Sequence, residues 1–95
     1  MIDLNLAVNL FSSELHKNEQ NPVDPDYSFG FGFEVNGCYY EIEKKLGATD
    51  IILCFKESFL ATERIEIAKF KSWEKDMKEK MINSIDDFQF KKFTN

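Results

Sequence analysis

The stretch of sequence that decides the fold is residues 27–42, which read YSFGFGFEVNGCYYEI. Its first half alternates apolar residues with small or polar ones, the period-2 pattern of a β-strand with one apolar face. Asn36-Gly37 follows, and this dipeptide best tolerates the positive φ angles of a type I′ turn. The sequence therefore predicts a β-hairpin in which Val35 pairs with Cys38.

This register gives the hairpin one aromatic side and one polar side. Counting back from the turn, Phe33 lies opposite Tyr40, and Phe31 lies opposite Ile42, so both strands turn their apolar side chains the same way. The rest of the chain must cover that side. The other side carries two glycines, a tyrosine and three glutamates: Gly30, Gly32, Tyr39, Glu34, Glu41 and Glu43.

A helix is predicted before the hairpin, over residues 3–17. Asp3 is a good N-cap, and apolar residues follow it at helical spacing. Leu6 and Leu10 widen this apolar stripe, and Asn18 is a plausible C-cap. We expect the wide apolar face of this helix to cover the aromatic side of the hairpin.

A second helix is predicted over residues 72–85. From Phe70 onward, apolar residues step by three and four, and Ser72 is a reasonable N-cap. Asp86-Asp87 is expected to end this helix. Residues 88–93 would then form an extended or fraying tail.

Two further strands are predicted between the hairpin and the second helix. Residues 51–55 form a continuous apolar run, which suits an interior strand lying antiparallel beside the second hairpin strand. Residues 63–70 alternate and favour a fourth strand, whereas the competing reading extends the last helix back to Thr62. The sequence predicts one α+β domain over residues 1–95, in the order α-β-β-β-(β)-α. Its three- to four-stranded antiparallel meander sheet is flanked by N- and C-terminal helices.

Composition limits the class of protein. The chain has 95 residues, of which 43% are hydrophobic and ten are Phe, enough for a single compact core. It contains no apolar run long enough to span a bilayer, and its start does not resemble a secretory signal. We therefore expect a soluble cytoplasmic protein with no membrane partner. In that compartment Cys38 and Cys54 would be reduced, buried thiols.

The charge is negative and unevenly distributed. The net charge is −5, and residues 1–50 hold nine carboxylates against three lysines. An acidic chain is repelled by phosphate backbones, so direct binding to nucleic acid is disfavoured and a basic protein partner is favoured. The simpler explanation, that modest acidity keeps a small protein soluble, is at least as good.

The sequence offers few groups for chemistry. His16 is the single histidine, and Cys38 and Cys54 lack the spaced partners of a metal site. Asp24 and Asp26 lack the further oxygen ligands that a calcium loop needs. Glu41 and Glu43 could work as paired carboxylates, but a solvated strand surface is the better interpretation. We therefore expect a protein that is not an enzyme and uses no cofactor and no metal.

The leading functional hypothesis is an acidic binding protein that inhibits or neutralises a macromolecular partner by occluding a basic surface. An immunity protein against a nuclease, or a phage inhibitor of a host defence enzyme, would fit. Two alternatives are a structural homo-oligomer, such as a homodimer, that packs through its glycine strip, and a small-molecule-binding regulatory domain. Against a docking role for the glycine strip, Gly30 and Gly32 could simply permit sheet coiling or bulging, with Tyr39 covering a glycine diagonally. The partner-binding residues predicted are Glu34, Tyr39, Glu41 and Glu43, with Asp24 and Asp26 on the rim.

Overall fold

The computed structural model describes residues 2–20, 28–45 and 50–94. Within these ranges four strands form one antiparallel sheet in the order β1-β2-β3-β4. The prediction of an α+β fold with helices at both ends is confirmed, and so is the fourth strand. The elements are α1 (Leu4–Gln20), β1 (Ser28–Val35), β2 (Cys38–Lys45), β3 (Ile51–Lys56), β4 (Ile65–Phe70) and α2 (Met77–Thr94).

The hairpin of β1 and β2 has the predicted register. Val35 pairs with Cys38, and Phe33 pairs with Tyr40. Asn36 has φ 53° and Gly37 has φ 80°. Positive φ at both central residues is the signature of the type I′ turn, whose twist matches that of the strands it joins.

The core lies between the aromatic side of the sheet and the helices α1 and α2. Phe11 of α1 is fully buried, and its ring centroid lies 5.0 Å from that of Phe29 and 4.6 Å from that of Trp73. Each large side chain buried in this way contributes about 1.5–3 kcal/mol. The residues buried in this one cluster are Leu4, Ala7, Phe11, Leu15, Phe33, Tyr40, Ile42, Ile51, Leu53, Phe55, Met81 and Ile85.

Helix α1 begins where the sequence predicts. The Asp3 Oδ1 atom accepts a hydrogen bond from the Leu6 N–H at 2.9 Å, which is the N-cap interaction. The predicted C-cap is wrong, because the helix continues to Gln20 and the Asn18 side-chain amide donates to the Glu14 carbonyl at 2.7 Å.

The apolar face of α1 is narrower than predicted. Leu6 and Leu10 are exposed, whereas Ala7 and Phe11 are buried. At about 100° per residue, Leu6 and Leu10 project away from the sheet. The buried residues of this helix are Leu4, Ala7, Phe11 and Leu15, about one residue per turn, so the wider stripe is not used.

Both predicted ends of α2 are wrong. The helix starts at Met77, and the Asp76 carbonyl accepts a backbone hydrogen bond from Lys80 at 3.1 Å. Ser72 is not the N-cap, because its hydroxyl instead donates to the Glu74 carboxylate at 3.0 Å. The chain thus makes a turn over residues 71–76 before the helix begins.

At its other end, α2 passes straight through Asp86-Asp87. Aspartate lowers helix stability by only about 0.7 kcal/mol or less, so it cannot stop a helix that gains packing beyond it. That packing comes from Phe88, whose ring centroid lies 5.0 Å from that of Phe55. The Asp87 carboxylate also pairs with Lys91 one turn later, at 3.0 Å.

Gln89 fastens this part of α2 to the hairpin. Its side-chain amide donates to the Tyr40 hydroxyl at 2.7 Å and to the Val35 carbonyl at 3.3 Å. Its side-chain oxygen accepts from the Asn36 amide at 3.3 Å, so the bridge reaches the turn itself. Burial raises the pKa of Tyr40 to about 12, and the hydrogen bond from Gln89 partly opposes this shift.

Replacement of Gln89 by alanine tests this bridge. We expect Gln89→Ala to lower the free energy of unfolding by about 1–2 kcal/mol, because the Tyr40 hydroxyl loses its partner in a buried site. Urea denaturation followed by circular dichroism measures the change. Asn83→Ala is the matched control, since Asn83 is an exposed amide on the same helix. Equal stability of the two variants would show that the bridge contributes nothing.

Candidate functional site

The side of the sheet opposite α1 and α2 is the candidate binding surface, here called the open face. Strand pairing places Gly30 opposite Glu43, Gly32 opposite Glu41 and Glu34 opposite Tyr39. Because side chains alternate along a strand, all of these positions point away from the core. The neighbouring strand β3 adds Ile52, Cys54 and Lys56 to the same side.

The structure brings together four of the six residues that the sequence predicts. Glu34 is exposed on the open face, and Tyr39, Glu41 and Glu43 are partly exposed there. The remaining two, Asp24 and Asp26, lie outside the described residues.

Arg64 is the functional residue that the sequence analysis missed. Its Nη1 atom lies 2.6 Å from Glu41 Oε1 and also hydrogen-bonds Glu43 Oε2. Ile65, the next residue, pairs with Phe55 and points into the core side, so alternation turns Arg64 toward the open face. No motif marks Arg64 in the sequence, because it precedes β4 and reaches its carboxylate partners on β2 across β3.

Arg64 does not fully compensate the two glutamates. Their side chains are only 21% and 30% exposed, for Glu41 and Glu43 respectively. Burial, followed by the adjacent Glu41, raises the pKa of Glu43 even though the Arg64 guanidinium opposes the shift. The same pair of carboxylates, with Glu41 the larger influence, raises the pKa of Arg64. Two half-buried carboxylates therefore share one guanidinium, which leaves an excess of one negative charge when both are ionised.

The open face as a whole is less acidic than the sequence suggests. Glu34, Glu41, Glu43 and Glu66 supply four carboxylates on the described part of this face, and Lys56, Arg64 and Lys69 supply three cations. Glu66 and Lys69 pair with each other at 3.8 Å. The excess of negative charge is thus concentrated near Glu34 and the shared glutamate pair. A partner would meet one focused acidic spot.

A groove of about 550 Å³ lies beside this glutamate pair. Gly30 forms part of its lining together with Ile52 and Arg64. Charged groups of both signs complete the lining, among them Lys44 and Asp50. Glu41 and Glu43 both line this groove.

The two glycines of β1 have different structural roles. A Cβ atom at Gly30 would lie 3.1 Å from both the Glu43 Cβ and the Ile42 carbonyl oxygen, so close strand packing explains this glycine. A Cβ atom at Gly32 would come no closer than 3.8 Å to its nearest neighbour, the Tyr40 carbonyl oxygen. Packing therefore does not require glycine at position 32. Its effect is that no side chain projects from the open face at this position.

Cys54 is buried on this same side of the sheet. Burial, followed by the nearby Glu43 carboxylate, raises the pKa of Cys54 to about 11. Its Sγ atom lies 3.9 Å from Glu43 Oε1. A thiol with this pKa stays protonated near neutral pH, so it is a poor nucleophile and a poor metal ligand.

Among the described residues, no His, Cys, Asp and Glu side chains group in threes or more in a way that could hold a metal ion. Neither described helix combines the length and apolar character needed to cross a membrane.

Comparisons of the chain with models of protein families, with curated proteins and with solved structures find no match. What the protein binds is therefore inferred from the chemistry of its own residues.

Alanine substitutions at the two glycines test the packing argument. We expect Gly32→Ala to be more stable than Gly30→Ala by about 1 kcal/mol, since an alanine that fits without strain gains about 0.4–1 kcal/mol from the unfolded state. Gly30→Ala must first displace the backbone of β2. Urea denaturation of both variants measures the difference. A Gly30→Ala variant as stable as Gly32→Ala would contradict the close approach of the strands.

Replacement of Glu43 by glutamine tests the incomplete compensation. The folded state holds the Glu43 proton more tightly than the unfolded state does, because the pKa of Glu43 is raised. Ionised Glu43 therefore opposes folding at neutral pH, and this penalty disappears as the pH falls through the raised pKa. We expect the unfolding free energy of the wild type, relative to Glu43→Gln, to rise as the pH is lowered across that window. A difference that stays constant with pH would contradict this expectation.

Proposed function

We propose that this protein is a small cytoplasmic binding protein whose open face docks a basic surface of a protein partner. The observation that supports it best is the half-buried glutamate pair, Glu41 and Glu43, which shares the single guanidinium of Arg64. A cation supplied by a partner would neutralise the remaining charge. The proposal concerns a protein partner, because phosphate backbones would be repelled by the same carboxylates.

Docking would proceed through steering followed by burial. The exposed carboxylate of Glu34 and the net charge of −5 attract a basic surface over a distance of about 8–10 Å at physiological salt. Once in contact, a lysine or arginine side chain enters the groove over Gly30 and meets Glu43. Tyr39 is half-buried beside Glu34 and offers the aromatic contact that protein interfaces favour.

The biological role that fits this mode of binding is inhibition by occlusion. A partner whose basic surface binds nucleic acid would lose that surface on docking. Immunity proteins against nucleases and phage-encoded inhibitors of host defence enzymes would meet targets of this kind, and we propose that the protein acts in the same way. The bare backbone at Gly32 supports close approach, because packing inside the fold does not require it.

Charge reversal at Glu34 tests the proposal with a defined probe. A nona-arginine peptide is titrated into labelled protein, and backbone amide shifts are followed by NMR. We expect the largest shifts at Gly30, Gly32 and Tyr39, and an approximately tenfold loss of affinity in Glu34→Lys. Glu79→Lys is the control, because Glu79 is an exposed residue of α2 and the change in net charge is the same. Equal losses of affinity in both variants would show that only the net charge of the protein matters, which would contradict a docking site on the open face.

Two other outcomes would replace the proposal. Sedimentation over a dilution series that reveals a dimer, lost in Gly32→Glu, would make a second copy of this chain the occupant of the open face. Thermal stabilisation by an uncharged metabolite, abolished by filling the groove at an exposed lining residue with Ser28→Leu, would indicate a small-molecule site instead.

A further inference from the structure

The turn at residues 58–61 presents two large apolar side chains to solvent. The Ala61 N–H donates to the Ser58 carbonyl at 3.1 Å, which closes a four-residue turn with Phe59 and Leu60 at its centre. Phe59 is 59% exposed and Leu60 is 85% exposed. Central turn positions normally hold Gly, Pro, Asn, Asp or Ser, so two large apolar residues there contradict the local preference. The fold gains little from them, and departures of this kind concentrate at functional sites.

This turn is held in place from both ends. Before it, the Lys56 ammonium donates to the Phe59 carbonyl at 3.2 Å. After it, Arg64 is fixed to Glu41 and Glu43 on the open face. Because the loop is already ordered, a partner that grips Phe59 and Leu60 loses less conformational entropy on binding.

The same contacts place the turn at one end of the open face. Lys56 pairs with Tyr39 across the sheet, so the loop leaves β3 beside the proposed aromatic contact. Arg64 brings the chain back over the glutamate pair. A partner seated on Tyr39 and the glutamate pair therefore extends naturally to Phe59 and Leu60.

The charges around the turn favour a protein pocket over a lipid surface. The exposed carboxylates of Glu57 and Glu63 flank it, and the Lys92 ammonium of α2 lies 3.8 Å from Glu57. Lys56 and Arg64 are bonded to groups of this chain. Anionic lipid would repel the two carboxylates. A hydrophobic pocket rimmed by lysine or arginine would pair with the Glu63 carboxylate and bury the apolar pair at the same time.

We infer that Phe59 and Leu60 form an apolar anchor that enters a hydrophobic pocket, rimmed by cations, on the basic partner docked at the open face. This inference rests on the proposed function for the identity of the partner. Rigid, exposed apolar side chains that become buried at an interface supply a large share of its affinity. The glutamate pair sets charge specificity, and the anchor adds the burial that a polar sheet surface lacks.

Photo-crosslinking tests the anchor and the open face separately. Benzoylphenylalanine is placed at Leu60 in one variant, at Tyr39 in a second and at Phe90 in a third. Phe90 is the control because it is 68% exposed and lies on α2, which packs against the side of the sheet opposite the open face. After irradiation of cells that produce each variant, we expect Leu60 and Tyr39 to capture the same basic protein and Phe90 to capture none.

The captured protein is then purified and its binding measured by calorimetry. We expect the double variant F59S/L60S to bind at least tenfold more weakly than the wild type, while F90S stays within about twofold. All three proteins should unfold at the same urea concentration, since the substituted side chains are exposed. Wild-type affinity in F59S/L60S, or adducts at Leu60 with lipid or with this chain alone, would overturn the anchor.

The two proposals fail in different ways. If a basic protein is captured at Tyr39 but not at Leu60, Phe59 and Leu60 are not an anchor, and docking at the open face is still supported. The absence of a basic protein among the Tyr39 adducts overturns both.

Discussion

The type I′ turn at Asn36-Gly37 is the constraint on which the rest of the structure depends. It fixes the pairing of β1 with β2, and a slip of one residue would exchange the core side of the hairpin for the open face. The fold protects this register from a second direction, because Gln89 of α2 bonds to Asn36, Val35 and Tyr40. A local turn preference and a contact between residues about 50 positions apart thus enforce the same pairing.

The pattern of the sequence predicted the sheet well because its signals are local. Alternation, the Asn-Gly turn and the apolar run of β3 each depend on neighbouring residues. The ends of α2 were predicted poorly for the opposite reason. Asp86-Asp87 is unfavourable in isolation, but Phe88 and Gln89 gain contacts with Phe55 and the hairpin that no local rule contains.

The candidate site shows the same division between local and distant information. The register was enough to gather Glu34, Tyr39, Glu41 and Glu43 on one face. It could not reveal Arg64, which lies more than 20 residues from its carboxylate partners and reaches them across β3. Arg64 changes the chemistry of the face, from a row of free acids to a pair that is partly neutralised and half-buried.

Arg64 links the electrostatic and apolar parts of the proposed interface. Its loop carries Phe59 and Leu60, so the ion pair that partly neutralises the glutamates also positions the anchor. A partner's cation should therefore add to Arg64 and not displace it. Displacement would free the loop and restore the entropy cost of ordering it, whereas addition would place a second cation beside the pair and oppose the rise that burial and Glu41 cause in the pKa of Glu43. Binding by addition would therefore give each carboxylate a cation and leave in place the ion pair that holds the loop.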